Sequence, residues 1–267
     1  PEKRPDVFAF PHRLALGTTV IIQASRGCYN RCSFCLVPAF DGHGGGWRGR
    51  SPENIFSEME NLVAQGARDF YFADPNFVGP GKAGKERTLA LLELIRPLNI
   101  TFGMETRPND LDDEIMAALV GAGMKSLLLG IESGSANILR LIKKSSTAAM
   151  AERAIRLCRN HGIEPEVGFL MFVSEATLGD LRSNLEFLKN TSLLDRLDRT
   201  ANLLCHRQIV LAGTSGYDFY GNQGYVVKSG SFGFEGEVQF RDPKAHWVAE
   251  LMIFGCLTIL RTMSDTD

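Results

Sequence analysis

Neither sign of charge dominates this sequence. Lysine and arginine number 29 against 31 aspartates and glutamates, a formal net charge of −2. A protein that grips nucleic acid or an anionic membrane carries a basic excess, so the balance argues against both partners. No apolar run reaches the roughly 20 residues of a membrane span. The longest, 247–260, is interrupted by Glu250 and reads as a buried helix. A secretory signal is also lacking, since the chain opens P-E-K-R-P-D. That opening on Pro1, without an initiator methionine, reads as a processed product or, in preference, an excised part of something longer. Six cysteines do not make a disulfide framework here, because three are crowded together and Cys158, Cys205 and Cys256 lie far apart. A chain of this length needs no such bonds to hold its core. The expected setting is a reducing cytoplasm. No internal repeat is visible beyond an alternation of strand-like and helix-like segments.

That alternation is the main signal present. β-rich segments at 19–24, 69–73, 100–105, 126–131, 167–172 and 203–210 read as strands. Between them lie amphipathic helical patterns. The first has Ser51 as N-cap, Pro52 at the first helical position, Glu53 in the first turn and an apolar face of Ile55, Met59, Leu62 and Val63. Further helices are expected at 88–95, 112–122, 136–142, 147–161 and 177–189. Apolar strands alternating with helices predict an α/β fold with a helix-covered parallel sheet. Six units fit a partial (β/α)6 TIM-like barrel with a short C-terminal extension. The boundaries expected are an N-terminal linker at 1–18, the barrel core at 19–212, and an extension at 213–267 ending in a helix near 245–261.

Just after the first strand comes R-G-C-Y-N-R-C-S-F-C-L-V-P, with Cys28, Cys32 and Cys35 in one loop. Three soft thiolates select zinc or an iron–sulfur cluster. A closed structural zinc site wants four ligands in paired spacing. No second pair lies nearby, and His43 is the only close imidazole. Three thiolates on a cubane leave one iron open to a small molecule. The loop also falls at the C-terminal end of a strand, where barrels of this type place their chemistry.

C-Y-N-R-C-S-F-C resembles the CxxxCxΦC signature of the radical S-adenosylmethionine superfamily, with Phe34 as the aromatic residue. The resemblance covers roughly 19–210. It implies that Cys28, Cys32 and Cys35 hold a [4Fe–4S] cluster whose open iron chelates S-adenosylmethionine. It further implies reductive cleavage to a 5′-deoxyadenosyl radical that abstracts hydrogen from an organic substrate. Phe34 would shield the cluster and help wall the adenine. Ala73 and Asp74 stand where the family has a Gly-Gly-Glu-like segment against the methionine amino group. Glu105 matches a carboxylate near the methionine moiety, the bland alternative being a salt bridge with Arg107. Glu132 and Ser133 match a polar pair near ribose or methionine, or form an ordinary strand-to-helix turn. Lys144 matches a basic residue for the methionine carboxylate, with Arg140 and Lys143 as competitors. Leu170, in G-F-L-M-F-V-S-E, matches an apolar contact to adenine or is plain core.

W-R-G-R-S-P-E, F-A-D-P-N-F-V-G-P-G and G-I-E-S-G-S together are most similar to the barrel of cobalamin-dependent radical enzymes. This implies methyl transfer or cyclisation, with cobalamin on an upstream domain absent from this chain. It also implies a small-molecule substrate and a reductant such as flavodoxin or ferredoxin. C-L-V-P followed by R-G-R-S-P-E also resembles transfer-RNA methylthiotransferases, the alternative branch. A non-catalytic zinc-binding or electron-transfer module is the alternative of another class. Tyr217, Phe219 and Tyr220 wall the substrate side or pack the tail, and Trp47 lines the cofactor face or anchors its loop.

Overall fold

The computed structural model describes residues 19–40, 46–229 and 233–264. The expected linker at 1–18 and His43 lie outside them. Among the described residues, 19–29, 47–129 and 156–166 form one compact unit and the rest a second. A five-stranded parallel sheet runs in the order β1 (Val20–Ile22), β4 (Asp69–Phe72), β5 (Thr101–Thr106), β6 (Met124–Glu132), β7 (Glu166–Phe169). This is the expected α/β class.

In the first unit, β1 pairs with β4 through Val20↔Phe70, and β4 with β5 through Phe70↔Phe102. The register of β5 on β6 shifts between Phe102 and Gly103. Phe72 meets Phe77 at 4.6 Å and Phe102 edge-on at 5.4 Å, and all three rings are buried. Burying each such ring contributes about 1.5–3 kcal/mol. The short strands β2 (Ser25–Arg26) and β3 (Arg48–Gly49) pair antiparallel on either side of the cysteine loop in sequence. After α1 (Val37–Phe40), α2 (Pro52–Ala64) starts as its sequence dictates. Ser51 caps it, accepting from Asn54 N at 3.3 Å, and Ile55, Met59 and Leu62 are buried. α3 (Gly81–Ile95) begins about two turns before the expected start at residue 88. α4 (Asp113–Gly121) is capped by Asp112, which accepts from Ile115 N at 2.9 Å. Trp47 anchors its loop: Nε1 donates to Asn76 O at 2.8 Å, and the Arg87 guanidinium lies 5.4 Å from its ring centre.

The last three residues of β6, Gly130, Ile131 and Glu132, belong to the second unit. There α5 (Ala136–Leu141), much of α6 (Ala148–Asn160), α7 (Leu178–Asn190) and α8 (Leu197–Cys205) follow. The sixth strand differs from expectation. Residues 203–205 complete α8, and only Arg207 bridges in parallel, to Phe172. β8 (Ile209–Leu211) instead joins an antiparallel sheet ordered β8-β10-β9, with β9 at Val226–Ser229 and β10 at Glu235–Val238. Strand propensity at Leu203 and Leu204 lost to their burial as one face of a helix. Between β8 and β9 lies α9 (Ser215–Gly221), where Tyr220 is buried with Val210 and Val238, and Tyr217 packs on them. These tyrosines therefore pack the tail, while Phe219 is half exposed.

The terminal helix α10 (Pro243–Ser264) corrects two expectations. It is not buried: Ala245, Ala249 and Cys256 are covered, but Trp247 is 67% and Phe254 75% exposed. α10 packs chiefly on α8, which covers a single face. At 22 residues it is also long and apolar enough, by length and composition alone, to cross a membrane. The apolar run read from the sequence, 247–260, lies inside this helix, which extends past it on both sides.

Candidate functional site

The cysteine loop is built by short local bonds. Within the second unit, Cys35 N donates to Cys32 O at 3.2 Å, closing a turn. Ser33 N donates to Ile142 O at 2.9 Å, and Ser33 O accepts from Gly216 N at 2.7 Å. Asn30 Nδ2 donates to Cys32 Sγ at 2.8 Å, and Asn30 Oδ1 accepts from the Ser145 hydroxyl. A hydrogen bond donated to sulfur favours the thiolate, the form that ligates metal. Cys32 and Cys35 line a pocket of about 210 Å³ with Arg31, Lys143, Thr214 and Ser215. Phe34 is half-buried, as are Cys28, Cys32 and Cys35, and none of the three is in a disulfide. Among the described residues no three His, Cys, Asp or Glu side chains stand together as metal ligands. Ligand thiols commonly converge only when the metal binds, so the fit rests on the donor set. Three half-buried thiols on one loop, one already a hydrogen-bond acceptor, suit an iron–sulfur cluster.

In the first unit, Tyr29 of the same loop donates to Asp110 Oδ1 at 2.7 Å. Asp110 Oδ2 accepts from Asn76 at 2.9 Å, and Asn76 Oδ1 from Thr106 Oγ1 at 2.8 Å. Arg107 lies over the Tyr29 ring at 4.4 Å. Burial, then the Asp110 carboxylate, pushes the Tyr29 phenol well above its ordinary pKa. This network ties the start of the cysteine loop to the end of β5, and sequence reasoning missed it. Its one legible signal was Tyr29 lying between two of the cysteines.

Asp74 is fully buried and accepts from Ala24 N at 3.1 Å and from both the amide and hydroxyl of Ser25. Burial raises its pKa and these bonds oppose the rise. Its carboxylate thus clamps the turn between β1 and β2. Ala73 is exposed, with its N–H donating to Ile22 O at 3.0 Å. Glu105 does not pair with Arg107: its Oε1 accepts from the Tyr71 hydroxyl at 2.9 Å. Burial and Glu105 together push the Tyr71 phenol up to about 12.

In the second unit, the end of β6 brings two expected residues together. Lys144 Nζ meets Glu132 Oε1 at 3.0 Å, with the side chains only 6% and 13% exposed. Lys143 is exposed and Arg140 bonds to Asn137, so Lys144 is the basic residue held inward. Glu132 has φ +70°, a conformation that costs a non-glycine residue about 1–3 kcal/mol. It is fixed there by Lys144 and by Leu170 N, which donates to Glu132 O at 2.7 Å. A Cβ on Gly130 would stand 3.1 Å from both Glu132 Oε1 and Lys144 Nζ, so glycine keeps this cradle open. Leu170 is half-buried beside it in the backbone ladder.

Ser133 is fully buried, and its hydroxyl donates to Asn184 Oδ1 at 2.6 Å. The same oxygen accepts from Gly134 N and Ser135 N at 2.9 and 3.2 Å, and Asn184 Nδ2 donates to Met171 O at 3.2 Å. Ser135 caps α5 and donates to Asp180 Oδ1 at 2.6 Å. Burial would raise the Asp180 pKa, but bonds from Ser135, Thr177 and Asn137 outweigh it and hold it below the usual value.

Comparison with known proteins gives the family and the fold. Residues 22–188 match the model of the Radical SAM superfamily, and the chain belongs to it. It is a radical S-adenosylmethionine enzyme domain. An uncharacterized methyltransferase of Pyrococcus horikoshii is 25% identical over 174 residues, 65% of this chain and 37% of its own length. A tRNA-2-methylthio-N(6)-dimethylallyladenosine synthase of Jannaschia sp. is 30% identical over 156 residues, 55% of this chain and 33% of its own. In fold, the chain matches the cobalamin-dependent S-adenosylmethionine radical enzyme OxsB with a TM-score of 0.76 at 19% identity, covering 92% of this chain and 42% of that one. The chain thus spans less than half the length of each of these proteins.

Proposed function

We propose that this chain is the catalytic core of a cobalamin-dependent radical S-adenosylmethionine enzyme that carries out methyl transfer or cyclisation on a small organic molecule. The observation that carries the reading is the loop of Cys28, Cys32 and Cys35, with Asn30 donating to Cys32 Sγ, in a chain whose fold matches OxsB. The three thiolates would hold a [4Fe–4S] cluster, which when bound supplies the electron for cleavage of S-adenosylmethionine. The chain's own residues bind and orient. Lys144 offers an ammonium to the methionine carboxylate, held inward by Glu132. Glu105 and Glu132 are acceptors for the methionine ammonium or the ribose hydroxyls, and Leu170 and Phe34 are apolar contacts for adenine. Ser133, Ala73 and Asp74 act through the backbone they shape. The Asp74 carboxylate and Ser133 hydroxyl already bond within the protein. Residues 19–212 are the core and 213–267 an extension. A one-electron reductant and a cobalamin-binding domain are the implied partners, in a reducing cytoplasm.

Anaerobic reconstitution tests the reading. Four iron and four sulfide per chain, with an absorption change on adding S-adenosylmethionine, support it. One tightly bound zinc and no cleavage sink it in favour of a zinc module. The Jannaschia relative supports the methylthiotransferase reading; thiomethylation of transfer RNA, without cobalamin binding by the full-length protein, would establish that branch instead.

A further inference from the structure

Gln208 is 3% exposed, and among the described residues neither Oε1 nor Nε2 of its amide has a hydrogen-bond partner. Its backbone N–H donates to Phe172 O at 2.8 Å, beside the parallel bridge of Arg207 to Phe172. Phe172 lies three residues beyond the end of β7, so Gln208 stands at the carboxyl-end rim of the parallel strands, where such folds place ligands.

Side chains alternate across an extended segment. Arg207 takes one face, reaching Glu237 at 2.6 Å and Glu250 at 3.5 Å. Gln208 therefore shares the other face with Val210, against which Tyr220 and Tyr217 of α9 pack. The start of α9 is tied to the cysteine loop by the Gly216–Ser33 bond, and Thr214 and Ser215 line the pocket with Cys32 and Cys35. The amide is thus on the face of β8 that α9 and the cysteine loop share.

A buried amide without partners bears the full cost of its desolvation. It presents a donor beside an acceptor, and the group that satisfies both at once is a neutral edge with an acceptor beside a donor. Adenine has that edge in its ring nitrogen and exocyclic amine, and glutamine meets it in a two-point pair. We infer that the side-chain amide of Gln208 binds the adenine of S-adenosylmethionine directly. The inference rests on the proposed function and adds to it a polar determinant for the base.

The test is calorimetric binding of S-adenosylhomocysteine, and of its purine analogue lacking the exocyclic amine, to the cluster-reconstituted protein. Wild type is expected to prefer the adenine probe about tenfold or more. Gln208→Leu and Gln208→Met are expected to bind the adenine probe about tenfold more weakly and to lose the preference. Without ligand, both variants are expected to melt at or above the wild-type temperature, since each removes an unpaired polar group. Unchanged affinity and preference in both variants overturn the inference while leaving S-adenosylmethionine binding intact. A lower melting temperature in both, showing an amide satisfied inside the fold, also overturns it. A wild-type protein that binds neither probe overturns the proposed function and the inference together.

Discussion

Replacing Asn184 by leucine keeps the volume of a fully buried side chain and removes its hydrogen bonds. Its Oδ1 accepts from the Ser133 hydroxyl, Gly134 N and Ser135 N, and its Nδ2 donates to Leu170 O and Met171 O. Gly134 and Leu170 are half-buried and can turn to water, whereas Ser133, Ser135 and Met171 cannot. Ser135 N keeps one bond, to Ser133 Oγ at 3.0 Å. Two or three buried groups are therefore left short, each at about 1–3 kcal/mol. Because such costs are not additive, Asn184→Leu should destabilise by about 3–5 kcal/mol. Urea unfolding at neutral pH measures it, and the midpoint should fall with an unchanged slope. Asn184→Asp, which keeps the acceptor and loses the donor, should fall between wild type and Leu. A loss under about 1 kcal/mol for the leucine variant would refute the claim that Asn184 holds the Ser133 turn against the end of β7.

Cys32→Ala should lose the cluster; a variant that still makes 5′-deoxyadenosine overturns the ligand assignment. Burial pushes the Cys158 thiol up to about 12, so a thiol-specific reagent at pH 8 should label Cys158 only on unfolding, well after Cys35, and equal rates would contradict its burial. Asp180 is held below the ordinary carboxylate range, so its stabilising effect is complete above the unfolded-state value and fades as pH falls through the lower folded value. Wild-type stability should therefore drop more steeply between pH 5 and about 2 than that of Asp180→Asn, and parallel curves by urea midpoint would exclude this role. Tyr71→Phe removes one bond to a half-buried carboxylate and should cost about 1 kcal/mol, readable in the same assay; no loss would mean that water replaces the phenol.

The cysteine spacing and the strand–helix rhythm were legible because both are local. Three thiols within eight residues share a loop whatever surrounds it, and an apolar face repeats with the period of its own helix. Caps such as Ser51 and Asp112 were legible for the same reason, each acting three residues away. The sixth strand was less so, since Leu203 and Leu204 satisfy a strand pattern and a helix face alike.

What tertiary structure decided is which polar groups remain available. From sequence, Ser133 and Asp74 have the same standing as Glu132 and Lys144. Only the fold sets Asn184 against Ser133, 51 residues away, and Ser25 against Asp74, 49 residues away. It likewise pairs Lys144 rather than Lys143 with Glu132, leaves one face of α10 exposed, and buries the Gln208 side-chain amide without a partner among the described residues. The sequence by itself determined what donors the chain carries and which can share a loop. Their use depends on partners distant in the chain, because a hydrogen bond needs contact within about 3 Å and no local pattern encodes contacts at that separation.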